Sequence, residues 1–300
     1  MTNMNYKKLI LFILCAFVPM IAIGLALHFM APATNGSESA TPDLIGAVVR
    51  FILTAGAMFI PLLAVIITQA VFKEPLLTGI GISFKINRWW FIGWILMPVI
   101  AMGGLGMTLL MPGAKWTPDS ETIQLALKSM PEGFGIWGLI GISLFSGLFA
   151  GVTINAVFGF GEEVAWRGYL LKLFNGKSFM ATAIWTGIIW GFWHAPLILN
   201  GHNYPQHPVA GVFMMVVLSL LLSVLLMYFR QKSNSVIVPA IMHGTFNAVA
   251  GITNLVVTPF NDLLFGTPGL AGMLVLLIID LCIFIYDRYI SKEKIFLSTL

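Results

Sequence analysis

Five polar side chains lie inside long apolar stretches of this sequence: Glu162, Glu163, His194, His243 and Asn247. A charged group at the middle of a bilayer costs about 2.5–3.5 kcal/mol on insertion scales, so such residues usually face protein or water and mark a functional site. They fall in three separate apolar segments. Together they offer a carboxylate, two imidazoles and a carboxamide, which are the groups needed to hydrolyse a peptide bond with a bound water.

The residue types suggest a role for each group. A carboxylate can act as general base on a water molecule while a histidine helps to hold it. Asn247 and His243 can donate to a developing oxyanion, which is often worth about 2.7–4 kcal/mol per donor. A serine or cysteine nucleophile has no support, because no Gly-x-Ser-x-Gly motif occurs and neither cysteine is near this cluster in sequence.

Spacing within the helices refines these assignments. Asn247 follows His243 by four residues, so both can project from one helical face. Glu163 precedes Arg167 by four, the favourable order for a helical ion pair. Glu162 points about 100° away from Glu163 around the helix. The sequence therefore predicts that Glu163 and Arg167 give structural support, while Glu162 faces a cavity.

Composition indicates an integral membrane protein. Hydrophobic residues make up 58% of the 300 residues and charged residues only 9%, which excludes an ordinary soluble protein. The net charge of +4 says little about nucleic acid, and we predict no nucleic-acid partner. We expect a single all-α, multi-pass domain over 1–300, located in the lipid bilayer, and in the cell membrane if the source is prokaryotic.

About 20 apolar residues are needed to cross the hydrocarbon core. This length predicts eight transmembrane helices, at about 9–30, 44–72, 89–112, 136–173, 179–200, 208–229, 236–256 and 268–287. The fourth is too long for one straight span, so it either tilts or projects beyond the membrane. The region 136–256 carries the polar residues and is the predicted catalytic core. The connections at 73–88 and 113–134 are predicted as a cytoplasmic segment and an external loop.

The basic residues favour cytoplasmic termini. With eight spans and a cytoplasmic N-terminus, 13 of the 16 Lys and Arg residues lie on the cytoplasmic side, as the positive-inside rule predicts. Lys115 and Lys128 are external, and Arg50 lies near the outer end of the second span. The loop at 31–43 contains no Lys or Arg. Neither Arg50 nor Asp280 has a role that the sequence indicates.

The hairpin between the fourth and fifth spans places two of the groups at similar depth. From the turn at 175–178, helical rise puts Glu162 about 20 Å and His194 about 24 Å into the membrane. His243 and Asn247 lie about 10 and 16 Å above the start of the seventh span. The sequence therefore predicts that three helices deliver all four side chains to one buried pocket.

Three motifs resemble those of the CAAX prenyl protease and bacteriocin-processing family (type II CAAX protease, or Abi). Glu162-Glu163-Val-Ala-Trp-Arg167 resembles its Glu-Glu-x-x-x-Arg signature, while His194 and His243-Gly-Thr-Phe-Asn247 resemble its second and third motifs. The resemblance implies an intramembrane glutamic endopeptidase. Glu162 and His194 would activate the water, and His243 and Asn247 would form the oxyanion site.

The same resemblance implies a substrate class. Type II CAAX proteases remove a C-terminal tripeptide after a prenylated cysteine, and prokaryotic relatives are linked with bacteriocin maturation and self-immunity. We therefore expect a prenylated or hydrophobic peptide or protein as partner. Trp190 stands where the family usually has Phe. Trp190 and Trp193 are predicted to bind the substrate, with packing and interfacial anchoring as the alternative.

Two other readings stay open at this stage. We predict no cofactor, but a zinc peptidase could use His194, His243 and Glu162 as ligands. No His-Glu-x-x-His motif supports it. The second alternative is a non-catalytic protein for bacteriocin immunity or transport, since intramembrane Glu and His also serve proton relays.

Overall fold

A computed structural model describes residues 5–30, 44–131 and 133–299, and the predicted 31–43 loop lies outside them. The predicted all-α class is confirmed, apart from one pair of two-residue strands. The elements in chain order are α1 (Tyr6–Phe29), α2 (Leu44–Ala57), α3 (Ile60–Val71), α4 (Arg88–Leu109), β1 (Lys115–Trp116), α5 (Glu121–Lys128), α6 (Ile136–Val152), α7 (Ile154–Glu163), a π-helical segment (Val164–Tyr169), α8 (Leu170–Leu173), α9 (Phe179–Trp193), α10 (Ala195–Ile198), α11 (Pro208–Ser233), α12 (Ile237–Val249), α13 (Ile252–Val256), β2 (Val257–Thr258), α14 (Leu270–Tyr289) and a 3₁₀ turn (Ile295–Leu297).

Four of the described helices are long and apolar enough to cross a membrane: α1, α4, α11 and α14. Two bent pairs, α2 with α3 and α6 with the helix that follows it, raise the number of candidate spans to six. Helices α9 and α12 have 15 and 13 residues. They are therefore only about 22 and 20 Å long, against a hydrocarbon core of about 30 Å. The count of eight spans stays a prediction.

The two longest predicted spans are each divided. The 45° bend between α2 and α3 coincides with Pro61, which occupies the first turn of α3. The over-long fourth span bends by 53° at Thr153, whose backbone leaves the helical region at φ −114° and ψ −105°. Sequence length alone suggested tilt or projection, whereas the structure shortens the span by a break. The break turns α7 toward α12.

Helix α12 packs against α4, α6 and α7, and glycines bring α7 and α12 into close contact. A Cβ added to Gly159 would lie 2.6 Å from the carbonyl oxygen of Ala240, and one added to Gly244 would lie 2.6 Å from the carbonyl carbon of Asn155. No side chain fits between the backbones at these points. The glycines therefore set the distance between the Glu162-Glu163 pair and His243.

Polar contacts gather the predicted cytoplasmic connections at one end of the bundle. Glu74, after α3, pairs with both Lys8 and Lys172. At the same end, Lys232 lies 2.7 Å from Glu293. Lys8 and Glu293, near the two ends of the described chain, thus both lie close to these connections. The side of the membrane that this end faces stays a prediction.

The predicted external loop at 113–134 is more structured than the sequence indicated. β1 pairs with β2 in antiparallel register, with Lys115 opposite Thr258. α5 begins after Ser120, whose hydroxyl accepts from the backbone N–H of Ile123 at 3.4 Å. The Ser N-cap and Glu121 in the first turn are ordinary helix-start signals that could have been read from the sequence.

Candidate active site

A cavity of about 400 Å³ lies between α2, α4, α9, α11 and α12. Glu162, His194, His243 and Asn247 all line it. Much of the remaining wall is apolar, including Met97, Leu218, Leu222, Leu226 and Phe246. The structure therefore brings the four residues to which the sequence assigned chemistry to one hollow. Their individual roles stay predictions.

Glu162 is held through one of its two carboxylate oxygens. Its side chain is 1% exposed, and Oε2 accepts from the indole Nε1 of Trp190 at 2.6 Å and of Trp166 at 3.2 Å. Trp166 can reach it because it follows Glu162 by one helical turn. Both described bonds go to the same oxygen. This arrangement leaves Oε1 as the oxygen that can act on a water.

Glu163 turns away from Glu162, as predicted, and forms the expected ion pair with Arg167 at 2.9 Å. The same oxygen, Oε1, lies 2.9 Å from Nδ1 of His243. Glu163 and Arg167 are completely buried. Because a buried carboxylate is costly without partners, this arrangement joins α7, the π-helical segment and α12 into one polar network. Glu163 therefore does more than neutralise Arg167, since it also orients His243.

His194 is fixed by its own helix. Nδ1 lies 2.9 Å from the carbonyl oxygen of Trp190. A carbonyl oxygen can only accept, so Nδ1 carries the proton, and in the neutral ring Nε2 keeps the lone pair. The contact thus selects one tautomer and leaves Nε2 for the cavity.

Trp190 is the contact point between these groups. Its ring lies 4.3 Å from Cζ of Arg167 and 5.4 Å from the ring of His243, while its indole nitrogen donates to Glu162. The Trp193 indole donates to the Ala16 carbonyl oxygen at 3.1 Å, which ties α9 to α1. Both tryptophans line the cavity, but their nitrogen donors bind the protein. Their predicted contact with substrate stays a prediction.

Asn247 lies one turn beyond His243 on α12 and has an exposed side chain on the cavity wall. The two residues therefore share a helical face, as their spacing indicated. His243 is only 5% exposed and is held by Glu163, so its other ring nitrogen, Nε2, is the one that can act toward the cavity. An amide donor and an imidazole donor can thus approach the same substrate oxygen.

Sequence reasoning missed two features of this site. The chain from Val164 to Tyr169 is π-helical, directly after Glu163, and π-helical turns often occur at functional sites. The second is the pair of indole donors to Glu162. The spacing of Trp166 was a readable signal, but Trp190 is 28 residues away and its contact depends on how α9 packs.

The zinc alternative can be compared with the ligand geometry. Among residues 5–30, 44–131 and 133–299, no three His, Cys, Asp or Glu side chains are grouped so that they could hold a metal ion. The expectation that the protein needs no cofactor stays a prediction.

Comparison with known proteins tests the family resemblance that the three motifs suggested. No significant match was found among curated proteins. A family model described as type II CAAX prenyl endopeptidase Rce1-like matches residues 136–249, a range that contains Glu162, His194, His243 and Asn247. The family match and the apolar helices together indicate a membrane-embedded protease that acts on a hydrophobic or prenylated substrate. The motifs, the cavity and this match agree, and the 136–249 region of the chain is similar to the Rce1-like type II CAAX prenyl endopeptidase family.

Proposed function

We propose that this protein is a glutamic endopeptidase that hydrolyses a peptide bond of a lipidated, CAAX-like, or hydrophobic protein or peptide. The observation that carries the proposal is the position of Glu162. It is a buried carboxylate held through one oxygen at a cavity that His194, His243 and Asn247 also line. We propose that 136–256 is the catalytic core of a single membrane domain.

In this mechanism Glu162 acts as general base. Oε1 takes a proton from a water whose position His194 Nε2 helps to fix, and the water oxygen forms a bond to the carbonyl carbon of the substrate. The tetrahedral intermediate then collapses and its C–N bond breaks. The proton held by Glu162 passes to the leaving nitrogen, so a carboxylic acid and an amine are released and the carboxylate is restored.

The oxyanion of the intermediate would be stabilised from α12. The amide of Asn247 donates to it, and His243 donates from Nε2 when both ring nitrogens carry protons. Glu163 accepts from His243 Nδ1 and balances the charge of that ring. Arg167 in turn holds Glu163, so the ion pair predicted as structural support would position an oxyanion donor.

The cavity wall supports an apolar substrate. A cleft with a few convergent polar groups in an otherwise hydrophobic lining binds apolar ligands in a fixed orientation. The methionines among the lining residues can adapt to chains of different shape. This lining is compatible with a prenyl group and equally with a hydrophobic peptide segment.

The direct test replaces Glu162 with Gln. The probes are two quenched fluorescent peptides in lipid vesicles, in which three apolar residues follow a prenylated or an unmodified cysteine. We expect Glu162→Gln to lower kcat by at least about 10²–10⁴-fold, the usual contribution of a general base. Glu121→Gln, the same substitution at an exposed position on α5, should leave kcat unchanged. Wild-type turnover by a folded Glu162→Gln variant would refute the mechanism.

The zinc alternative needs its own measurement. We expect exhaustive chelation to leave cleavage unchanged and elemental analysis to find no stoichiometric metal. Loss of activity on chelation, with recovery on adding zinc, would favour the metal mechanism instead.

A further inference from the structure

A groove of about 690 Å³ lies between α1 and α9, apart from the catalytic cavity. Helix α1 lines it with Leu9, Ile13 and Phe17, which recur every four residues and so form one stripe along the helix. Helix α9 lines it between Ala181 and Phe192. Among the described residues, those that line this groove and those that line the catalytic cavity are entirely different sets. The groove is therefore a separate site.

The groove forms because the two helices are in contact at only one of its ends. Helix α1 packs mainly against α3 and has little direct contact with α9. The two helices meet where the Trp193 indole donates to the Ala16 carbonyl oxygen, and the neighbouring Phe17 and Phe192 line the groove there. Lys177, in the turn before α9, lines the other end. The groove thus runs from a basic end to an apolar end.

Lys177 supplies a free charge at the basic end. Its side chain is exposed, and within the described part of the chain its ammonium group has no hydrogen bond or ion pair. The hydroxyl of Thr182, which also lines the groove, donates to the Ser178 carbonyl oxygen at 3.1 Å. The described lining residues include no Asp or Glu. The groove therefore combines a largely apolar wall with one available cation.

The surroundings of this end are also basic. Glu74 pairs with both Lys8 and Lys172, so one carboxylate balances two ammonium groups. Lys8 directly precedes Leu9, and Lys172 lies five residues before Lys177, which places this cluster at the same end of the groove. A basic residue at a membrane surface favours an anionic lipid headgroup over a neutral one by about fivefold in affinity.

The dimensions of the groove fit one leaflet of a bilayer. The stripe from Leu9 to Phe17 covers about 12 Å of helix, and the stretch from Ala181 to Phe192 covers about 16 Å. The hydrocarbon core is about 30 Å thick, so the acyl chains of one leaflet reach about 15 Å. An acyl chain whose headgroup lies at Lys177 would therefore end near the contact of α1 with α9.

We propose that this groove binds one anionic glycerophospholipid, with an acyl chain between α1 and α9 and its phosphate at Lys177. The acyl chain fills the space that direct helix packing leaves, and the phosphate gives the Lys177 ammonium group a partner. The bound lipid thereby joins α1 to the helix that carries Trp190. This inference needs no catalytic step, so it can fail while the proposed hydrolysis stands, and the reverse also holds.

The test measures lipid binding to the full-length protein in a neutral detergent by native mass spectrometry. The probes are dioleoyl phosphatidylglycerol and dioleoyl phosphatidylcholine, which share their acyl chains and differ in net charge. We expect one tightly bound phosphatidylglycerol per protein, with a Kd at least about fivefold below that of phosphatidylcholine. Phosphatidylglycerol should also raise the midpoint of thermal unfolding, because it binds the folded state. Glycerol 3-phosphate, which has the phosphate without acyl chains, should not.

Two pairs of variants test the headgroup and the acyl chain separately. Lys177→Gln should lower the ratio of the two Kd values by about fivefold, whereas Lys85→Gln, at an exposed lysine outside the groove, should keep it. Ile188→Trp places a large ring in the groove and should weaken the binding of both lipids. Ile184→Trp puts the same ring at an exposed position one turn away and should not. Each ratio is measured within one preparation, so a smaller folded fraction does not change it.

Three results would overturn the inference. The first is equal affinity of the wild type for the two lipids, or a Lys177→Gln variant that keeps the wild-type ratio. The second is undiminished lipid binding in a folded Ile188→Trp variant, which would place the lipid elsewhere. The third is displacement of phosphatidylglycerol by an equal concentration of the prenylated probe peptide, which would assign the groove to the substrate.

Discussion

Glu163 and Asp280 are both acids inside apolar helices, and they differ in what surrounds them. Glu163 on α7 is fully buried, and one of its oxygens lies 2.9 Å from both Arg167 and His243. Asp280 on α14 is 8% exposed, and neither of its oxygens has a hydrogen-bond partner in the described part of the chain. Burial is thus similar at the two positions, while partners converge at only one of them.

The difference shows why an intramembrane acid is an incomplete signal for function. The cost of burying the charge applies to both positions, and sequence reveals that cost but not the partners that offset it. In the 136–249 region, the π-helical segment and α12 supply those partners. Helix α14 supplies only the acid within the described residues. The following predictions test whether this contrast separates a working site from an incidental one.

The largest effect should come from removing the charge of Glu163. Glu163→Gln leaves the buried guanidinium of Arg167 uncompensated, which costs about 3–5 kcal/mol of unfolding free energy. Activity should fall as well, because His243 loses its acceptor. Thermal unfolding in detergent and kcat on the same preparation measure both effects.

A double-mutant cycle gives the control for that prediction. In Glu163→Gln with Arg167→Gln, neither charge remains, so the loss of stability should be smaller than the sum of the two single losses. Strict additivity would contradict a direct ion pair and would remove the main distinction between Glu163 and Asp280.

A smaller effect, on activity alone, is expected at Asn247. Asn247→Asp keeps the shape of the side chain and removes both amide donors, so kcat should fall by about 10²–10³-fold. KM should change little, because the lost interaction forms in the transition state. A fall of less than threefold in kcat would show that Asn247 does not bind the oxyanion.

Much of this arrangement could be predicted from sequence, and the reason is periodicity. Helical spacing correctly indicated the Glu163–Arg167 pair and the shared face of His243 and Asn247, because both depend on one helix only. Apolar runs likewise located the helices. Span counting was less secure, since α9 and α12 are shorter than a bilayer is thick.

The contacts between distant segments could not be read in this way. The Trp190 bond to Glu162 depends on where α9 packs in the bundle, and the Glu163 contact with His243 depends on the close approach of α7 and α12 at their glycines. Each is set by packing over 28 or 80 residues of separation.

Trp190 offers a more modest test of the network. Trp190→Phe keeps an aromatic ring and removes the indole donor to Glu162. A hydrogen bond to a charged group is worth about 1.5–3 kcal/mol, so kcat should fall by about 10- to 100-fold. Trp185→Phe, at an exposed position on α9, is the matched control and should have no effect. Unchanged kcat in Trp190→Phe would mean that Trp166 alone positions the carboxylate.

The smallest effect is expected at Asp280. Asp280→Asn keeps the shape of the side chain and breaks no described hydrogen bond, so no buried partner is left unsatisfied by the substitution. Unfolding free energy should fall much less than in Glu163→Gln, because no buried partner loses a hydrogen bond, and kcat should be unchanged. The measurement is the same detergent unfolding curve used for Glu163→Gln, where the same type of change, acid to amide, is expected to cost several times more.

A loss of activity in Asp280→Asn with normal stability would show that α14 contributes to function through a contact beyond the described residues. Both acids would then contribute to function, and they would differ only in which groups they contact.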